Sequence, residues 1–285
     1  AALANGINAF DTARVYMEAE HSFGNWLEKS GRREEVVILS KCGHPDAMWN
    51  KRVNEKEMRK DLKKSLEELK TDYIDIYMLH RDDPDTDVAV AVETFNAMHE
   101  EGSIRAFGAS NWMHTRIEEA NEYAYKHNLI PFSVSSPNFC LARQIEDPWG
   151  GGCVNISGPE NQEARAWYEK NQMPVIAYAS LGRGFFSGRM KSEYADHASD
   201  YLDSFAMTGY ACSDNFERLH RCEIIAERHG VTVAQIAMNW IFSHPLNIFA
   251  IASMSKADRM KANREALLLQ LSDEEIAYLD LETPE

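Results

Sequence analysis

The chain has 285 residues, 44% apolar and 26% charged, and 45 acidic against 30 basic residues leave a formal net charge of −15. That length is ample for a packed core in one large α/β domain or two smaller ones. So acidic a surface repels phosphate backbones and anionic membranes, which excludes nucleic acid and lipid headgroups as general partners. The five cysteines (Cys42, Cys140, Cys153, Cys212, Cys222) are scattered, with no C-x-x-C pair. A disulfide framework or a metal site is therefore not expected, and a reducing cytoplasmic setting is. No apolar run approaches the ~18 residues that span a bilayer.

Ala1 to Asn5 reads as the last turn of a helix closed by Gly6, and Ile7 to Asp11 as a strand. Glu20 to Ser30 is a helix stopped by Gly31, and Val36 to Lys41 a strand apolar on both faces, as buried parallel strands are. Asn54 with Glu57 caps a helix whose apolar stripe is Met58, Leu62, Leu66 and Leu69. Strand Ile74–Leu79 ends at His80. Helix Val88–Glu101 ends at Gly102, and strand Ile104–Ala109 runs into Ser110-Asn111. Helix Thr115–His127 precedes strand Phe132–Ser135, after which 137–159 reads as a functional loop. Helix Glu160–Asn171, strand Val175–Ala179, an irregular stretch from Ser180 to about Asp214, and helices Phe216–Arg228 and Val233–Phe242 follow. Strand Ile248–Ala252, helix Lys256–Leu268 and a last helix capped by Ser272 and Glu275 complete the chain.

Strand and helix alternate throughout, without a linker, so residues 1–285 read as a single domain. Repeated βα units of this length point to a (β/α)₈ barrel or a doubly wound sheet, and the absence of G-x-G-x-x-G disfavours the latter. Asp11, Lys41, His80 and Ser110 stand at the exits of successive strands, where barrels build active sites. Seven strands are readable rather than eight. The first strand-helix unit is expected to be missing or incomplete, with about 30 residues lying upstream of Ala1, supplied by another chain, or present but disordered.

An acid, a phenol, an amine and an imidazole (Asp11, Tyr16, Lys41, His80) share that rim. Singly, each has an ordinary explanation, since strand-end Lys and Asp often form structural ion pairs and a lone His is usually a core hydrogen-bonder. The set, in its context, resembles the aldo-keto reductases. The matching pieces are Phe10-Asp11-Thr12-Ala13 with Tyr16; Glu20 through Gly24 to Leu27; Ser40-Lys41; Asp72 to Tyr77 with Leu79-His80; Gly102 to Asn111; Ala177-Tyr178 with Leu181 to Gly184; and Lys256 to Asn263. They occur in family order over essentially the whole chain.

The resemblance implies an α/β fold of (β/α)₈ type and an NAD(P)H-dependent carbonyl reductase whose tetrad is Asp11, Tyr16, Lys41 and His80. Tyr16 would protonate the alkoxide left by hydride transfer, Lys41 paired with Asp11 would stabilise the phenolate, and His80 would hydrogen-bond the carbonyl oxygen. It further implies that Ser110, Asn111 and Ser136 hold the carboxamide, with Ser136 standing where the family usually has Gln. Tyr178 would stack on the nicotinamide. Ser180, Leu181 and Arg183 would lie beneath the pyrophosphate, while Ser253, Ser255, Lys256, Arg259 and Asn263 would hold the adenosine end. Ala252 replaces a usual Pro.

Three cations within six residues (Lys256, Arg259, Lys261) favour NADPH over NADH. Trp49, Trp112 and Trp149 are the candidate substrate walls, equally explicable as packing residues, and Arg81-Asp82-Asp83 either read polar groups of a substrate or salt-bridge the rim. A small carbonyl compound is the expected partner. A reductase-fold regulatory or redox-sensing protein is the rival reading, and a carboxylate-dependent barrel hydrolase is disfavoured by Lys41.

Overall fold

In the computed structural model, residues 1–254 and 256–283 are described. They fall into two compact units, one of residues Gly6–Ser136 and one of Ala1–Asn5 with Pro137–Glu285.

The Gly6–Ser136 unit holds five strands, β1 (Ala9–Asp11), β2 (Val37–Cys42), β3 (Ile74–Leu79), β4 (Ile104–Ser110) and β5 (Ser135–Ser136). They pair in sequence order, all parallel, with Asp11 opposite Leu39, Lys41 opposite Met78 and Leu79 opposite Ala109. All five strands exit on the same side of the sheet, with Asp11 and Lys41 each stepped two residues back from the next strand's exit residue, so Asp11, Lys41, His80 and Ser110 lie along one rim. Among the described residues β1 pairs with β2 alone. Between the strands run α1 (Ala19–Ser30), α2 (Glu55–Leu69), α3 (Val88–Glu100) and α4 (His114–Lys126). The N-cap Asn54 accepts the Glu57 amide at 3.0 Å, as its spacing predicts.

Packing comes as close as the chain allows at two glycines. A Cβ on Gly24 of α1 would lie 2.0 Å from the Glu68 carbonyl oxygen of α2, and one on Gly108 of β4 would lie 1.9 Å from that of Val134. No side chain fits at either place. The core between β3, β4 and the helices is aromatic, with Phe95 stacked on Phe107 at 5.3 Å and Phe132 edge-on to both. At the opposite end of the strands, the Tyr73 ring lies between the guanidinium carbons of Arg33 and Arg105, each 3.8 Å from its centroid. Asp75 accepts from Arg33 at 2.8 Å and from the Ile38 amide at 2.9 Å.

The second unit carries β6 (Val175–Ala177) and β7 (Ile248–Ala250), again parallel, which completes seven strands with no eighth among the described residues. Its helices are α5 (Gln162–Asn171), α6 (Ser204–Tyr210), α7 (Ser213–His229), α8 (Val233–Phe242), α9 (Ala257–Glu265) and α10 (Asp273–Leu279). Both expected Ser272 and Glu275 capping contacts are made.

Several boundaries differ from the sequence expectation. Ala1–Asn5 contains one 3₁₀ turn, Leu3–Asn5. The fifth strand shortens from Phe132–Ser135 to Ser135–Ser136, although Ser133 and Val134 still bond β4 through Phe107 and Ala109. Helix α6 occupies part of the stretch expected to be irregular, started by Asp203 accepting the Ala206 amide at 2.8 Å. Helix α9 ends at Glu265 in a 3₁₀ turn rather than running to Leu268.

Candidate active site

The turn after β1 carries Tyr16, whose amide bonds the Ala13 carbonyl at 2.9 Å, and Met17 beside it takes a φ of +40°. Beneath the turn lies Lys41 of β2, 3% exposed, its Nζ donating to Asp11 and to the Thr12 carbonyl at 3.0 Å. The Nζ stands 5.4 Å from the centroid of the Tyr16 ring. The His80 ring meets the Tyr16 ring edge-on at 5.6 Å. All four residues of the expected tetrad therefore stand together, while Tyr16 at 42% exposure faces outward.

Electrostatics fix the state of His80. Burial, followed by the positive charge of Lys41 and by His44 and Arg81, holds its imidazole well below the ordinary value, so the ring is neutral near pH 7. Its Nδ1 is sealed from water without a hydrogen-bond partner among the described residues. A second layer keeps the cluster in place. Glu20, 1% exposed, takes the Ser40 hydroxyl at 2.6 Å and pairs with Arg14, locking α1 to the strand that bears Lys41.

Sequence reasoning missed His44. Its ring lies 4.9 Å from that of His80, and burial, with Arg81 and Arg52 acting in the same direction, lowers its pKa despite the Pro45 carbonyl at 2.8 Å. The available signal was a second imidazole three residues past the strand-end lysine.

Next along the rim, Asn111 has φ +60° and its Nδ2 donates to the His80 carbonyl and to the Ser110 Oγ, each at 3.1 Å. Ser110 Oγ donates to the Ser136 carbonyl at 2.9 Å. These three residues therefore stand together beside His80. Of the aromatic candidates in this unit, Trp49 is 57% exposed on a turn held by Asp46, which accepts the Met48 and Asn50 amides. Trp112 is 1% exposed and packs against Phe132 at 5.5 Å, so it is a core residue rather than a surface one.

The second unit has its own cluster. The Trp149 ring meets Tyr178 edge-on at 5.7 Å, and Asp147 pins the loop by accepting the Trp149 and Cys153 amides at 2.9 Å. Ser180 is buried, its Oγ donating to the Ile251 carbonyl at 2.8 Å. Leu181 leads into Gly182, where a Cβ would lie 3.1 Å from that of Phe185. Arg183 does not stand free for a ligand, because its Nε is shared by both carboxylate oxygens of Asp203 at 3.0 and 3.1 Å and its guanidinium lies over Phe205.

Ser253, Lys256 and Arg259 are exposed and Asn263 is half-buried, while Ser255 lies outside the described residues. Lys256 is the N-cap of α9 but contributes no side-chain cap, and Arg259 stands in the first turn. Lys256 and Arg259 thus put two exposed cations at the start of this helix, a charge that suits an anion.

A model of the Aldo/keto reductase family matches residues 1–281. Protein tas of Escherichia coli K12 is 28% identical over 98% of this chain and 86% of its own length. Aldo-keto reductase str7 of Strobilurus tenacellus is 26% identical over 97% of this chain and 77% of its own. A crystal structure of the thermostable aldo-keto reductase Tm1743 with the inhibitor epalrestat superposes with a TM-score of 0.71 at 24% identity, covering 98% of this chain and 84% of that one. That likeness shows the fold, the α/β class of (β/α)₈ type. With the family match over nearly its full length, the chain belongs to the aldo/keto reductase family.

Proposed function

We propose that this oxidoreductase reduces an aldehyde or ketone with NADPH, using Tyr16 as general acid assisted by Lys41, Asp11 and His80. The observation that carries the reading is the convergence of Lys41 and His80 on the Tyr16 ring, at 5.4 and 5.6 Å, with Asp11 holding the lysine from behind.

When bound, the nicotinamide supplies the hydride. The chain's own residues manage the proton. Hydride addition leaves negative charge on the carbonyl oxygen, and the Tyr16 hydroxyl donates its proton to that oxygen. An unperturbed phenol, with a pKa near ~10, releases a proton reluctantly, and the adjacent ammonium stabilises the phenolate that remains. Asp11 holds Lys41 in place. A neutral His80 is suited to donate a hydrogen bond to the carbonyl without itself competing as the proton source. With no acceptor facing Nδ1 among the described residues, the ring's proton belongs on Nε2.

Ser110, Asn111 and Ser136 would hold the carboxamide and Tyr178 would stack on the ring. Ser180 and Leu181 would lie beside the pyrophosphate, and Ser253, Lys256, Arg259 and Asn263 would hold the adenosine end. Arg183 serves this reading only if it exchanges Asp203 for phosphate. The exposed, uncapped start of α9 supports NADPH over NADH, because two cations there match an additional phosphate. Trp49 and Trp149 are the aromatic walls of this reading, and Trp112 supports the fold of its own unit. The reading treats residues 1–285 as one catalytic domain at work in the cytoplasm. Mixing the protein with NADPH and a panel of aldehydes and ketones, and following loss of reduced-nicotinamide absorbance, tests it. Loss with none of them would remove the reading.

A further inference from the structure

Seven of the eight arginines between Gly6 and Ser136 pair with a carboxylate. The eighth is Arg81, directly after His80, and it has neither ion pair nor hydrogen bond among the described residues. Carboxylates are not scarce there. Asp82 and Asp83 follow at once, yet neither turns to Arg81: Asp82 faces Arg116 at 3.6 Å through Oδ2, its Oδ1 buried without a hydrogen-bond partner among the described residues, and Asp83 takes Lys51 at 2.7 Å and the Thr86 hydroxyl at 2.8 Å.

Arg81 is nonetheless 9% exposed, and its Nε is sealed from water with nothing to donate to. A guanidinium cannot escape the cost of burial by losing its proton, so a buried one is almost always matched. Here the fold provides no match. The position is also telling, because Arg81 leaves β3 next to the imidazole assigned to the carbonyl, and its charge is felt by both His80 and His44, whose rings are 4.9 Å apart.

We propose that Arg81 receives the carboxylate of the substrate, which is then an anionic carbonyl compound such as an oxo acid or an aldehyde acid. The proposal rests on the reductase reading and names the substrate class of that same site. A single planar fork neutralises one negative charge and matches a carboxylate with two parallel N–H donors. A phosphate dianion would ask for a second cation, and the nearby candidates are engaged, Lys41 by Asp11 and Lys51 by Asp83. On a chain of net charge −15 an anionic substrate gains nothing from the overall field, so a local unpaired cation is what its capture requires.

The test uses phenylglyoxylate and 4-carboxybenzaldehyde, each against its methyl ester, which place the carboxylate beside the carbonyl and across a ring from it. For at least one pair, the wild-type protein is expected to favour the acid by tenfold or more in kcat/KM. Arg81→Met should lower that value at least tenfold for the acid and less than twofold for the ester, and Arg81→Lys should restore part of the loss. Benzoate, which cannot be reduced, should bind the wild type and not Arg81→Met in calorimetric titration. The Tm of Arg81→Met should be equal or higher, since no partner is lost. Equal losses for acid and ester, equal benzoate binding, or a lowered Tm or failed folding in both Arg81→Met and Arg81→Gln would each overturn the proposal. A wild type that reduces no carbonyl at all would instead strike the reductase reading, and the benzoate titration would still decide the role of Arg81.

Discussion

Asp61 of α2 accepts the backbone N–H of Gly43 at 3.0 Å, so a helix carboxylate holds the chain at the point where it leaves β2. The same carboxylate is forked by Arg52, whose Nη1 also donates to the His44 carbonyl at 3.2 Å. The loop that sets His44 against His80 is therefore tied down from behind. Asp61→Ala should leave the Gly43 amide unpaired and Arg52 with the carboxylate of Glu57 and the His44 carbonyl as its remaining acceptors. A destabilisation of about 2–3 kcal/mol is expected in urea unfolding. A loss well below about 1 kcal/mol would mean that water replaces the carboxylate at no cost.

Tyr16→Phe keeps the ring that lies against His80 and removes only the hydroxyl. Turnover of carbonyl substrates should fall roughly 10²–10⁴-fold, the usual worth of a general acid. Cofactor affinity, read by fluorescence titration, should stay within about twofold. Near wild-type turnover would assign the proton to another group.

Arg259→Ala should separate the two cofactors. The side chain is exposed at the start of α9, with no ion-pair partner among the described residues. Losing a charge-assisted hydrogen bond to a phosphate weakens NADPH binding roughly ten- to a hundredfold and should leave NADH nearly untouched. Parallel losses for both in calorimetry would show that Arg259 merely shapes the helix.

A pH-dependent stability change is expected at Asp280. Burial is the main cause that pushes its carboxyl up to about 6, against the opposing hydrogen bond from Trp240 Nε1 at 3.0 Å. A carboxylate whose folded pKa exceeds its unfolded value destabilises the fold above the folded pKa, and the penalty fades as pH drops through 6 toward 4. Asp280→Asn keeps an acceptor for Trp240 and removes the charge. It should gain on the order of 1–2 kcal/mol at pH 8 and nothing at pH 4 in paired urea melts. A gain of the same size at both values would point to packing instead.

What could be read in advance depended on how local the cause was. Asn54 with Glu57, and Ser272 with Glu275, announce helix starts because a cap needs only its own first turn. The rim was legible because parallel strands all exit on one side of their sheet, so Asp11, Lys41, His80 and Ser110 could be placed along it. Asp61 was not legible. It sits in a lysine-rich run that reads as solvated, yet it and Ser65 are buried while Leu66 of the expected stripe is half-buried. Its reason for burial is the Gly43 amide on another element. The contacts of Arg183 with Asp203 and of Trp112 with Phe132 were not legible for the same kind of reason, since each partner lies twenty positions away along the chain. An unpaired Arg81 is invisible to any sequence rule, because two aspartates stand beside it and only the folded chain shows one facing Arg116 and the other bonded to Lys51.

The Tyr73 ring between Arg33 and Arg105, with Asp75 bonding Arg33 and the Ile38 amide, fastens β2, β3 and β4 at their entry. His80 leaves β3 five residues beyond Asp75, roughly 17 Å away along an extended strand. The fastening and the reacting groups are thus at opposite ends of the same strands, and selection can act on each without disturbing the other. Directed evolution that varies Arg33, Tyr73 and Arg105 should change heat tolerance while leaving the substrate profile alone, and libraries at Arg81, His44 and Trp49 should do the reverse.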